Sequence, residues 1–183
     1  MPAFAVLLRG VNVGGGNRVP MAEFRQQLES LGYTGVRTLL NSGNAVFASA
    51  RRSAPAHAGA IHSALVSGCG VDVRVIVKSS QEFEAIIADN ALASDAIDPS
   101  RLLVVFRQDA KTIQDLAALQ SLVRPPERWH LGRHAAYLYC ASGILESDAA
   151  RALLGRTGAL STTRNWATAL KLGALLGVVR RPV

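Results

Sequence analysis

Apolar residues along the chain switch between two spacings, and the switches mark out the elements. Residues 3–9 form a short apolar run that predicts a strand. From Pro20 onward, Met21, Phe24, Leu28 and Leu31 recur at helical spacing, predicting a helix that Gly32 ends. Pro20 suits the first helical position and Glu23 the positive end of the helix. Residues 36–40 and 45–48 are β-type runs, and Asn41-Ser42-Gly43-Asn44 between them has the composition of a tight hairpin connection. A second helix is expected over about residues 57–66, using Ile61 and Leu65, followed by a half-buried strand over residues 71–77. The order is β-α-β-β-α-β, the split βαβ arrangement of a ferredoxin-like sheet with helices on one face.

Much of this order returns in the second half. Ser79 can cap a helix running to about residue 88, with Phe83, Ile86 and Ile87 as its apolar face. Residues 90–100 read as an acidic loop, 101–107 as a strand and 112–122 as a helix, before Arg124-Pro125-Pro126 breaks the chain. A second hairpin is expected from residues 128–131 and 135–140 around Gly132-Arg133. Helices over residues 147–154 and 163–176 close the chain, so the tail reads β-α-β-β-α-α after a linking helix. The duplication is one of element order, without a residue-level repeat. The expected fold is therefore α+β, with two ferredoxin-like (split βαβ) subdomains, each a mainly antiparallel sheet with helices packed on it. The first spans residues 1–79 and the second residues 80–183, with the boundary near residues 78–80.

Composition narrows the class. At 183 residues and 49% hydrophobic, the chain can bury a sizeable core. No run approaches the ~20 apolar residues of a membrane span. MPAFAVLLRG lacks the basic start of a secretion signal, which points to a cytoplasmic protein without a membrane partner. Cys69 and Cys140 have no CxxC spacing and read as buried thiols, not as a disulfide or zinc framework.

The net charge of +7 is unevenly spread. Basic residues dominate through Gln81 and again from Leu116, and acidic ones dominate between them. Two basic regions can attract phosphate or nucleic acid. Nucleic acid is the weaker candidate, because Arg supplies nearly all the positive charge and aromatics are only 5%. Ferredoxin-like RNA binders stack bases on sheet aromatics, and these strands offer Phe47 and Phe106 but no RNP-like run.

The stretch LLRGVNVGGGNRVPMAEF has the order of a phosphate-cradling loop: strand end, glycines with Arg9, Asn12, Asn17 and Arg18, then a helix. It is not a P-loop, since Gly16 and Asn17 stand where Lys and Ser/Thr belong. Nor is it a dinucleotide loop, since Val19 takes the last glycine place. What remains are glycines free to adopt positive φ and N–H groups near a helix N-terminus, features that suit an anion and a plain turn equally. At the far end, Thr162 or Thr163 is expected to cap the last helix, leaving Arg164 in or near its first turn. A cation there opposes the helix dipole and calls for an anion, either a structural carboxylate or a ligand. Trp166 reads as core.

Other constellations are weak. His130 and His134 flank a hairpin turn and read as solvated. Ser42 lacks a G-x-S-x-G setting and more simply closes its turn. Asp89, Asp95 and Asp98 lack calcium-site spacing. No metal and no cofactor is implied.

Together, LLRGVNVGG, MAEFRQQLESLGYTGVRT, NSGNAVF and TTRNWATALKL resemble the domain of unknown function (DUF) 1697 family. The resemblance covers almost the whole chain, most densely residues 4–47 and 162–172. It implies the two-subdomain α+β fold and a bacterial cytoplasmic protein, and it brings no activity. The matching positions are Arg9, Gly10, Asn12, Gly14, Gly15, Met21, Gly32, Thr38, Ser42, Gly43, Asn44 and Phe47, then Thr162, Arg164, Asn165, Trp166, Thr168 and Leu172. Val11 stands where Ile is usual, and Gly16-Asn17-Arg18 replaces a more lysine-rich stretch. This pattern is strong in Arg, Asn, Ser and Gly, residues that hold anions or backbone geometry.

The leading expectation is a domain binding a small anionic or phosphate ligand. Arg9 and Arg164 would give guanidinium contacts, Asn12, Asn44 and Asn165 amide contacts, and Gly14 and Gly15 backbone N–H groups, framed by the Ser42 turn and the helix start at Trp166. One alternative is an enzyme acting on a small phosphorylated or carboxylated substrate, for which the sequence offers no general base. The other is a structural polar cluster, with function through a protein partner.

Overall fold

Two four-stranded antiparallel sheets organise the chain in the computed structural model, which describes residues 1–93 and 98–178. They belong to two units, one formed by Met1–Phe83 with Leu172–Val183 and the other by Glu84–Lys171.

The first unit runs β1 (Ala3–Leu8), α1 (Met21–Ser30), β2 (Thr34–Leu39), β3 (Asn44–Ala48), α2 (Ala54–Cys69) and β4 (Val75–Ser79). Its strand order is β2-β3-β1-β4. Phe4, Val6 and Leu8 of β1 join Phe24 and Leu28 of α1 and Ile61 and Leu65 of α2 in one buried cluster. Helix α2 starts earlier than expected because the Ser53 side chain accepts from Ala56 N–H and Pro55 suits the first turn; Gly70, at φ 65°, ends it. Pro20 stands just before α1 rather than inside it. Strand β4 begins at Val75, not at residue 71, because its partner β1 ends at Leu8 and Gly10 then turns the chain at φ 62°.

Helix α3 (Ser80–Ala88) leads into the second unit. The Ser79 hydroxyl accepts from Glu82 N–H (3.2 Å) while the Glu82 carboxylate accepts from Ser79 N–H (2.9 Å), a reciprocal capping box. The chain continues through β5 (Leu102–Arg107), a 3-10 segment (Ala110–Leu122), β6 (Arg128–Leu131), β7 (Ala136–Tyr139), α4 (Asp148–Leu154), β8 (Ser161–Asn165) and α5 (Trp166–Leu176). Its strand order, β6-β7-β5-β8, reproduces that of the first sheet. The α+β fold with two mainly antiparallel sheets is thus as expected.

Two elements of the second unit differ from expectation. Residues 161–165 are a strand, not the start of a helix: Val104 of β5 lies opposite Arg164 and Phe106 opposite Thr162. Strand β5 is buried along its whole length, so its second edge needs a partner for its peptide groups, and the β-branched Thr162-Thr163 supply one. The last helix accordingly begins at Trp166, and the tail order is completed by a strand. Residues 110–122 wind as 3-10 turns, burying Ile113, Leu116 and Leu119, which are three residues apart. Asp98 accepts from Ser100 N–H at the end of the acidic loop, whereas Asp95 lies outside the described residues. Among the described residues no helix is long and apolar enough to cross a membrane.

Candidate functional site

The glycine loop is built as a reverse turn. After β1, Val13 and Gly16 pair across Gly14 (φ 61°) and Gly15 (φ 82°), and two consecutive left-handed residues are what a two-residue hairpin turn requires. Asn12, itself at φ 56°, stitches this turn to the body. Its Nδ2 donates to Val19 O (2.9 Å) and Asn41 O (2.6 Å), and its Oδ1 accepts from Val19 N–H (2.9 Å). Both amide hydrogens of Asn12 are therefore engaged within the fold.

The β2–β3 connection packs beside it. Leu8 N–H donates to Gly43 O at 2.8 Å. Gly43 has φ 74°, and a Cβ there would stand 2.6 Å from Leu8 Cβ and Val11 Cγ2, so no larger residue fits. The fully buried Asn44 donates through Nδ2 to Leu39 O (3.0 Å) and to Ser42 Oγ (2.9 Å). Ser42 closes its turn.

Arg9 stands where these two segments meet the sheet. Its N–H donates to Arg74 O at 3.0 Å, continuing the β1–β4 register in which Leu8 faces Val75. Arg9 and Arg74 are thus opposite one another across the strand pair. Burial, and then the Arg74 charge, hold the Arg9 guanidinium below its ordinary range. Arg74 also lines a cavity of about 340 Å³ with Ala58, Gly59, His62, Asp72, Val73 and Val75. There His62 Nε2 lies 2.8 Å from Asp72 Oδ1, with the two side chains 43% and 86% exposed, so this is a surface pair.

The Arg164 segment belongs to the other unit. Arg164 is buried in β8, and its Nη1 donates to Thr162 Oγ1 (2.9 Å) and Thr163 O (2.7 Å). Burial lowers this guanidinium to about 10. The expected placement of Arg164 in the first turn of a helix, opposing its dipole, is corrected: it lies in a strand. The capping role expected of Thr162 or Thr163 falls to Asn165, whose Oδ1 accepts from Thr168 N–H at 2.9 Å. Trp166 is buried at the start of α5.

The family profile described as "Protein of unknown function (DUF1697)" matches residues 1–137. The chain belongs to the DUF1697 family. A solved structure, "conserved bacterial protein SP0830" from Streptococcus pneumoniae, is similar to it with a TM-score of 0.79 and 28% identity. That likeness covers 96% of this chain and 98% of the other. No curated protein matches the sequence.

In this DUF1697 chain, Arg9, Asn12, Ser42 and Asn44 fall within one unit, and Asn12 donates to Asn41 O of the connection that Ser42 and Asn44 close. Arg164, Asn165 and Trp166 follow one another along β8 and α5. Residues 162–172 lie outside the range that the family profile matches. Arg74 was not among the residues singled out from the sequence. Its signal was the split βαβ order itself, which pairs the residue after the first strand with the residue before the fourth. His130 stacks on Tyr137, with ring centroids 5.6 Å apart, and Tyr137 Oη donates to Ile86 O at 2.6 Å. Cys140 is buried, which pushes its thiol up to about 11, and Cys69 is partly buried; both are free. Among the described residues no group of three His, Cys, Asp or Glu could hold a metal ion.

Proposed function

We propose that this DUF1697 protein binds a small anionic ligand, of the phosphate or carboxylate class, at the end of the first unit's sheet, through Arg9 and Arg74. The observation that supports this is their direct apposition across β1 and β4. Like charges facing each other across a strand pair destabilise it, and partial burial of Arg9 adds to the cost. An anion between the two guanidinium forks would be attracted by both charges. Arg18, exposed on the same loop, adds to the positive field. In this view Asn12, Ser42 and Asn44 are the architecture that frames Arg9, and Arg164, Asn165 and Trp166 are architecture of the second unit. A cytoplasmic setting belongs to the same proposal, supported by the two free thiols.

A catalytic alternative has one observation in its favour: His62, beside Asp72, lines the same cavity as Arg74. The exposure of Asp72 leaves that pair poorly held for acid–base work, so binding is the better supported function.

The test is a thermal-shift panel of phosphate, pyrophosphate, nucleotides, sugar phosphates, citrate and short single-stranded RNA, each at low and physiological salt. The expected result is a stabilisation by one small-anion class that survives physiological salt and is lost in Arg9→Ala and in Arg74→Gln. Stabilisation by no anion, or equal stabilisation of all three proteins, overturns the proposal.

A further inference from the structure

We infer a second, separate anion site in the Glu84–Lys171 unit: a cavity between the start of the 3-10 segment and the β6–β7 hairpin, suited to a small organic phosphate or pyrophosphate. The cavity holds about 450 Å³, within the range of small-molecule sites. Lys111 and Gln114 line it from one side, and Gly132, Arg133 and His134 from the other. Leu131 contributes an apolar wall against which the carbon part of a phosphate ester can rest.

Charge is the first argument. Two cations and a protonatable imidazole line this one cavity from two elements, and no carboxylate is among its lining residues. Among the described residues neither Lys111 nor Arg133 forms an ion pair through its side chain. Guanidinium, ammonium and imidazole together offer the mixture of fork and point donors that a phosphate group accepts.

Rigidity is the second. Asp89 Oδ2 accepts from Arg133 N–H (2.7 Å) and His134 N–H (3.2 Å), and Gly132 N–H donates to Ala135 O at 3.0 Å. A Cβ on Gly132 would overlap Asp89 Oδ2, so only glycine lets the carboxylate seat against the turn. The hairpin tip is thereby held in one geometry, with Asp89 occupied by backbone N–H groups and not lining the cavity. On the opposite wall, Lys111 N–H donates to Asp109 Oδ1 at 2.9 Å, and Gln114 Nε2 reaches to 3.5 Å from Gly132 O, bridging the two sides. Walls already in place spare a ligand the cost of ordering them.

The experiment is an amide NMR titration of the full chain with pyrophosphate and, separately, a sugar phosphate. The expected result is saturable shifts of the Lys111, Gly132, Arg133 and His134 amides. Lys111→Gln combined with Arg133→Gln should weaken binding by about tenfold or more. Both side chains are exposed, so the melting temperature should hold. Arg9→Ala should leave these shifts intact, which separates this site from the first unit's. Absence of saturable shifts at these four amides, or unchanged affinity in the double variant, overturns the inference.

Discussion

The two units share one strand order but cover their sheets with different helices. In the first, α1 buries Phe24 and Leu28, four apart, and α2 buries Ala54, Ala58, Ile61 and Leu65, again in α-helical rhythm. In the second, the corresponding first crossover buries Ile113, Leu116 and Leu119 at intervals of three and winds as 3-10 turns. Three residues per turn keep such positions on one line, whereas an α-helix would rotate them away from the sheet. The second crossover, α4, has only 7 residues against 16 in α2. The lesson is that topology resides in strand pairing and connection order, and the crossover can be any element that presents an apolar line to the sheet.

The comparison is broken most severely at the close-packed glycines. Gly43→Ala in the first unit and Gly158→Ala in the second, where a Cβ would overlap the Leu153 carbonyl, should each cost more than about 3 kcal/mol in urea unfolding. A loss under about 1 kcal/mol at either would show that its backbone can shift. Next come the crossover leucines. If the two covers are equivalent, Leu28→Ala and Leu116→Ala should cost alike, about 2–5 kcal/mol each, because both side chains are fully buried. A small effect for Leu116 alone would show that the 3-10 segment is not a load on the core.

Polar stitches should matter less. Asn44→Ala removes the Nδ2 donor to Leu39 O and Ser42 Oγ and should cost about 1–3 kcal/mol. Asn165→Ala should cost about 1 kcal/mol by uncapping α5, and equal stability would remove the capping assignment. The smallest effect is the pH dependence of Asp98. Hydrogen bonds from Ser100 hold its carboxyl below the usual carboxylate range. A depressed acid contributes stability above its unfolded value, near pH ~4, and loses that contribution as pH falls through the folded value. Asp98→Asn should therefore be slightly less stable than wild type near neutral pH, with the gap closing in acid; a gap that widens in acid contradicts the assignment.

Much of this was legible along the chain. The 2- and 3.6-residue rhythms identified the first unit's elements in order, Ser79 caps a helix where its position suggested, and Ser42 closes its turn. Such features arise from contacts within a few residues, so sequence spacing encodes them directly. Ile113, Leu116 and Leu119 carried their interval of three in plain view, but their run has the composition of an α-helix. What only the tertiary structure decided are the distant pairings. Residues 161–165 became a strand because buried β5 had an edge to complete, against a local signal that read as a helix start. Arg9 acquired Arg74 through the β1–β4 register, and the hairpin at Gly132 acquired Asp89 from the end of α3. A residue's local spacing fixes which way its own backbone turns; which side chain it meets depends on where another segment's hydrogen bonds still need partners.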